Sequence, residues 1–177
     1  PYALSKYEAE LGLFEIARQT KMEVVIIRPP LIYGIGAPGN WAKLMRWLWR
    51  DFPLPLGRIN NMRSFVGLDN LLDLIKVCIY HPAAANQIFL VSDDEDVSTT
   101  ELVHRIKKSL GKSPRFIPVP GNILKMGARF VGKQEMIQSL CGTLQVDISK
   151  TRELLDWTPR VSLDNGLKQI GQNFINS

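Results

Sequence analysis

Val24-Val25-Ile26-Ile27-Arg28-Pro29-Pro30 is a run of four β-branched apolar residues that stops at two prolines. A run without polar alternation predicts a strand covered on both faces, as in a parallel sheet flanked by helices. Proline cannot donate to a central ladder, so the strand ends at Arg28. Before it, residues 1–20 read as a helix: Leu11, Leu13, Phe14 and Ala17 recur at helical spacing, with Glu8, Glu10, Glu15, Arg18 and Gln19 on other faces. Further along, Gln87-Ile88-Phe89-Leu90-Val91 is a second strand of the buried type. Helices alternating with buried strands place the chain in the α/β class.

Outward from these strands the elements follow from local chemistry. Tyr33 to Asn40 is a glycine-rich loop, and a tryptophan-rich helix runs from Trp41 to Arg50. Pro53 to Gly57 is extended. Arg63 to Asp69 alternates like a strand, and Asp69 stands where an N-cap would open a helix from Leu71 to Tyr80. Ser98-Thr99-Thr100-Glu101 has the form of a capping box, opening a helix with Leu102, Val103, Ile106 and Leu110 on one side and Gly111 at its C-terminal stop. Phe116 to Pro120 is extended, with prolines that suit an edge. A helix is expected around Ile123–Val131. Ser149 caps a short helix to Leu155, and Ser162 caps a last one with Leu163, Leu167, Ile170 and Phe174 on one face.

The 177 residues are 45% apolar and 22% charged, the profile of a soluble globular chain and not of a disordered, collagen-like or disulfide-stapled one. Twenty-two basic against 17 acidic residues give a net charge of +5. The basic residues are scattered along the sequence with no run of five, which reads as a solvated surface and predicts no nucleic-acid partner. Cys78 and Cys141 lie far apart, without a CxxC or a histidine at metal spacing, and His81 and His104 are isolated. Two reduced thiols, no metal, and apolar runs too short to span or insert into a bilayer all fit a cytoplasmic protein.

The candidate chemistry is at the start: Pro1-Tyr2-Ala3-Leu4-Ser5-Lys6. On a helix, residues four apart share a face. A phenol with a pKa near 10 is a weak acid or base at neutral pH, and a neighbouring ammonium lowers that pKa by stabilising the phenolate. Such a pair can move a proton to or from a hydroxyl or carbonyl oxygen. Tyr-x-x-x-Lys alone is unspecific, but here it begins an ordered series: Glu10, Arg28-Pro29, Tyr33-Gly34, Leu54-Pro55-Leu56-Gly57, Asn61-x-Arg63-Ser64-Phe65-Val66-Gly67-Leu68-Asp69-Asn70 and Gln145-Val146-Asp147-Ile148-Ser149-Lys150.

This series, over nearly the whole chain, resembles the C-terminal part of extended short-chain dehydrogenases/reductases of the NAD-dependent epimerase/dehydratase family, nearest its UDP-glucose 4-epimerase-like members. The resemblance implies the C-terminal half of a Rossmann-like NAD(P)-binding fold plus a small mixed α/β substrate-binding domain. Residues 1–35 and 64–98 would form the first, and 36–63 and 99–177 the second. It implies Tyr2 as catalytic acid/base at the sugar C4 oxygen, with Lys6 lowering its pKa and holding the nicotinamide ribose. Pro29 and Pro30 would pass the nicotinamide, Leu31 would lie near the sugar, and Asn40 near the nucleotide diphosphate. Leu54, Pro55 and Leu56 would lie beside the uracil. Arg63 would pair with the diphosphate, as a guanidinium fork suits phosphate.

The implied cofactor is NAD, with NADP as the other option. The implied partners are a UDP-sugar and a second copy of the chain in a homo-oligomer. Because the chain opens at Pro1, it is read as part of a longer protein, with the main dinucleotide-binding half and a catalytic Ser/Thr upstream. The isolated chain is expected to be inactive. An NAD(P)H-dependent UDP-4-keto-sugar reductase and a non-catalytic nucleotide-sugar-binding module are the competing readings.

Two departures stand out. Leu31 occupies a position where many 4-epimerases carry asparagine, and Glu135 to Leu144 holds no second basic residue for the diphosphate. Gly34-Ile35-Gly36-Ala37-Pro38-Gly39 fits G-x-G-x-x-G, but two prolines precede it, Pro38 sits inside it and position 59 is Ile59 rather than acidic. It is read as a mobile loop over the substrate site, not a pyrophosphate cradle. The segment Trp41 to Arg50 is basic and aromatic, a composition that also suits membrane-surface binding; at about three turns it is read instead as a substrate-domain helix whose tryptophans pack on their neighbours.

Overall fold

A computed structural model describes residues 2–37, 40–50, 52–56, 59–119 and 141–176. The expected helix around Ile123–Val131 lies outside the described residues. The elements run α1 (Tyr2–Gln19), β1 (Val25–Arg28), β2 (Leu31–Tyr33), α2 (Asn40–Trp49), β3 (Arg63–Gly67), α3 (Leu68–Tyr80), β4 (Gln87–Leu90), β5 (Asp96–Val97), α4 (Thr99–Ser109), α5 (Ser149–Leu155) and α6 (Leu163–Asn176).

β1 and β4 pair in parallel, with Ile26 opposite Ile88 and Ile27 opposite Phe89. The prolines after Arg28 break that ladder, as a missing N–H requires. The chain then re-pairs elsewhere: β2 lies parallel to β3, with Leu31 opposite Phe65, and β3 is antiparallel to β5. Asn86, at a positive φ of 59°, accepts a hydrogen bond from the Val24 N–H at 3.1 Å and fixes the entry to β1. β1 departs from the expected double coverage. Val24 and Ile26 are buried, while Val25 and Ile27 are half-buried.

β3 corrects the alternation read from its sequence. Ser64 to Gly67 are all buried, because both faces of the strand meet apolar side chains. Phe65 packs with Trp41, Met45, Leu48, Leu54, Leu102, Ile106, Leu163 and Leu167. Val66 points the other way, into Leu71, Leu74, Phe89, Val91, Ile148, Leu155 and Trp157. A period of two therefore separates two cores rather than core from water. Each fully buried aliphatic side chain in them contributes about 1.5–3 kcal/mol.

The helix ends show which local signals were complete. Ser98 caps α4, its Oγ accepting from the Glu101 N–H at 3.0 Å. The reciprocal half of the capping box is missing, since the Glu101 carboxylate accepts from Arg105 instead at 2.8 Å. Gly111, at φ +68°, follows α4 as a left-handed stop. Asp69 is not the N-cap of α3. Gly67 is, without a side-chain cap, because the chain passes from β3 into α3 with no loop between them, and Asp69 sits in the first turn. Ser149 is not a cap either. Ile148 occupies that position, and Ser149 donates its N–H and Oγ–H to Asp147 at 2.8 and 2.6 Å. Ser162 accepts from the Asn165 N–H at 3.4 Å ahead of α6, and Gly171 lets α6 press against α4.

Candidate functional site

The sequence-predicted residues sit on four elements. Tyr2 is the first residue of α1, its side chain outside the described set, and Lys6 lies one turn on, exposed. α1 is tied to the end of β1 by an Arg28–Glu10 ion pair, with Arg28 Nε donating to Glu10 Oε1 at 3.0 Å. That contact lowers the Glu10 pKa and raises that of Arg28. Pro29 is exposed, and Pro30 and Leu31 are half-buried, at the crossing from β1 to β2. Asn40 opens α2; its side chain is outside the described set.

Leu54 and Leu56 have their side chains in the core, 0% and 2% exposed. Their backbone is engaged as well. Leu54 N–H donates to Arg115 O at 2.8 Å, Leu54 O accepts from Ile117 N–H at 2.8 Å, and Leu56 O accepts from Thr100 Oγ1. Pro55, half-buried between them, is the member of the trio with side-chain surface to offer. Arg63 opens β3, half-buried, with Nη1 donating to Gly142 O at 3.3 Å. Burial lowers its pKa from the usual guanidinium value. Asn61 braces this corner: Nδ2 donates to Gly142 O at 2.8 Å and to Thr99 Oγ1 at 3.1 Å, and Oδ1 accepts from the Thr99 N–H at 2.9 Å. The same Gly142 carbonyl therefore receives both Asn61 and Arg63.

The structure also corrects one argument about the glycine-rich loop. The two prolines do not keep a strand from it: β2 directly precedes Gly34, α2 follows at Asn40, and β2 and β3 are parallel neighbours. What still separates it from a dinucleotide fingerprint is Ile59 in place of an acid and Pro38 within the loop. Gly34 and Ile35 line two adjoining clefts. One is closed by Tyr33, Gly67, Asp69 and Gly166, and the other, about 350 Å³, by Trp41, Met45, Arg46 and Phe174. Lys6, Pro55 and Arg63 line neither.

A buried polar knot behind the first cleft was not read from the sequence. Tyr33 Oη donates to Asp93 Oδ2 at 2.5 Å, Asn70 Nδ2 to Asp93 Oδ1 at 2.7 Å, and the Gly67 N–H to the same carboxylate at 3.0 Å. Asn70 Oδ1 accepts from the N–H groups of Arg160 and Val161, each at 3.0 Å. Burial pushes the Asp93 pKa up while these hydrogen bonds pull it back. Burial first, and then the Asp93 charge, drive the Tyr33 phenol far above its ordinary value, so it serves as a neutral donor. The knot joins the exits of β2, β3 and β4 to the lead-in of α6. The signal available in sequence was an acid, Asp93, two residues past the strand read over Gln87 to Val91.

No protein-family model matches the chain. It is 49% identical over 175 residues to a UDP-glucose 4-epimerase of Vibrio cholerae, covering 98% of this chain and 53% of that one. The structure of a UDP-glucose 4-epimerase of Thermotoga maritima, solved with UDP-glucose, aligns with a TM-score of 0.72 at 22% identity over 99% of this chain and 53% of that one. A UDP-glucuronic acid 4-epimerase of Bacillus cereus in complex with NAD aligns at 0.73 and 20% identity, over 99% and 52%. The chain thus spans about half the length of the curated relatives it matches. Ordered motifs, identity and fold agree: over nearly its whole length the chain is similar to the C-terminal portion of UDP-glucose 4-epimerases and of neighbours in the NAD-dependent epimerase/dehydratase family.

Proposed function

We propose that this chain is the C-terminal portion of a UDP-hexose 4-epimerase that uses NAD. The observation that carries the proposal is the 49% identity to the Vibrio cholerae enzyme across nearly all of this chain. In this reading residues 1–35 and 64–98 belong to the dinucleotide-binding part and residues 36–63 and 99–177 to the sugar-nucleotide part. Lys6 on α1 and Pro29 after β1 are both exposed, which suits contact with a nicotinamide ribose and ring. When bound, NAD supplies a hydride acceptor and donor for the sugar C4. Tyr2 takes the proton from the C4 hydroxyl and returns it, and Lys6 favours the phenolate by its charge. Pro30, like Pro29, passes the nicotinamide, and Leu31 lies toward the sugar, replacing an amide with a surface that cannot hydrogen-bond. Asn40 and Arg63 take the diphosphate, and Leu54, Pro55 and Leu56 line the uracil, mainly through Pro55.

The longer protein works in the cytoplasm on soluble UDP-sugar, as a homo-oligomer. The 177 residues alone bind no NAD and turn nothing over. UDP-galactose turnover without added reductant tests the epimerase reading; strict dependence on added NAD(P)H overturns it. Tyr2→Phe should lower kcat by roughly 10²–10⁴ with little change in KM. Calorimetric titration of the isolated chain with NAD should show no binding, and micromolar affinity would overturn its inactivity.

A further inference from the structure

The tryptophan-rich helix α2 is not the fully packed element its sequence suggested. Trp41 is buried, but Trp47 and Trp49 are 38% and 39% exposed, and Phe52 beyond them is 58% exposed. Arg46 and Arg50 are exposed on the arc of the helix between the two tryptophans. The fold then brings a second basic segment to this place. Lys112 Nζ lies 4.0 Å from the centre of the Trp49 ring and donates to the Trp49 carbonyl, and Arg115 is joined to Leu54 by a backbone hydrogen bond of 2.8 Å. Phe174 of α6 meets Trp49 edge-on at 5.4 Å, and shares with Arg46 the wall of the 350 Å³ cleft. Ile35 and Ile117, both about half exposed, extend the apolar surface on either side.

Residues 40–56 and 106–119 together carry seven lysines and arginines against one acid, Asp51. Their net +6 exceeds the +5 of the entire chain, so the remainder is net negative. Of these basic residues, Arg46, Arg50, Lys108 and Arg115 are exposed and Lys112 is half-buried, whereas Lys107 is 1% exposed and adds no surface charge; the exposed rings of Trp47, Trp49 and Phe52 lie among Arg46, Arg50 and Lys112. Long basic side chains carry their charge to the headgroup level while their stems cover apolar surface. Tryptophan rings favour the same interfacial depth. No described helix is long and apolar enough to cross a membrane, so such a surface acts from outside it.

We propose that the face formed by Arg46, Trp47, Trp49, Arg50, Phe52 and Lys112 docks peripherally on an anionic phospholipid surface. An anionic lipid is favoured over nucleic acid because the aromatic rings flank the arginines as an apolar rim, instead of forming a stacking track along a groove.

The test uses the purified protein with whatever residues its gene encodes upstream. It is sedimented with vesicles of phosphatidylcholine alone and of phosphatidylcholine mixed with phosphatidylglycerol. The expected result is pelleting with the anionic vesicles only, weakening as salt rises, and a blue shift of tryptophan emission. Arg46→Gln with Arg50→Gln should weaken partitioning by roughly fivefold per charge removed. Arg46→Lys with Arg50→Lys should retain it, which separates lost charge from lost folding. Absence of pelleting, equal pelleting on neutral vesicles, or salt-dependent binding to duplex DNA without vesicle binding would each overturn the proposal.

Discussion

Asp93 is 7% exposed and takes three donors, from Tyr33, Gly67 and Asn70. Removing the phenol hydroxyl with Tyr33→Phe leaves a buried carboxylate with one donor fewer. The expected loss is about 1–3 kcal/mol, read from urea unfolding at neutral pH. Burial holds the Asp93 carboxyl above its ordinary range. A carboxyl with a folded pKa above its unfolded value binds its proton more tightly in the folded state. Its stabilising contribution is therefore complete below the unfolded value and lost as pH rises through the folded one. Asp93→Asn cannot ionise, so its stability should stay flat across the window just above the usual carboxylate range, where the parent protein loses stability. Parallel curves for the two proteins would contradict this origin.

Among the elements, α4 is held at its start by its own cap and at its end by the close approach of α6. Ser98→Ala removes the cap of α4 and should cost about 1 kcal/mol. Gly171→Ala should cost more, about 1–3 kcal/mol, because an added Cβ would stand 2.3 Å from the Ser109 carbonyl oxygen and force the helices apart. Chemical denaturation orders the two variants, and a Gly171→Ala protein as stable as its parent would disprove the close approach. The Ser98 cap was legible because it needs only a local pattern of residues. The Gly171 contact was not, because nothing in the sequence of α6 says that α4 lies against it.

Across the whole molecule, the apolar face of α1 is uncovered. Leu4, Tyr7 and Leu11 are each more than half exposed at helical spacing. Among the described residues β1 is paired along one edge, by β4. Exposed apolar faces and open strand edges favour association. The isolated chain should thus gain mass with concentration in light scattering, and Leu4→Gln with Leu11→Gln should reduce that gain. A concentration-independent monomer would refute it.

The sequence by itself determined the α/β class, the ends of most elements and the break at Pro29-Pro30, since each rests on residues near one another in the chain, and the series from Tyr2 to Lys150 was legible because each of its motifs is local. Tertiary structure alone decided the rest. It turned β3 into a wall between two cores, gave the cap of α3 to Gly67, and buried Leu54 and Leu56. It also built the Tyr33–Asp93–Asn70 knot from residues up to 60 positions apart, and set Lys112 over Trp49. The physical reason is range. Propensity, capping and proline chemistry act over a few residues, whereas burial, polar pairing and surface charge density depend on which distant segments share one volume.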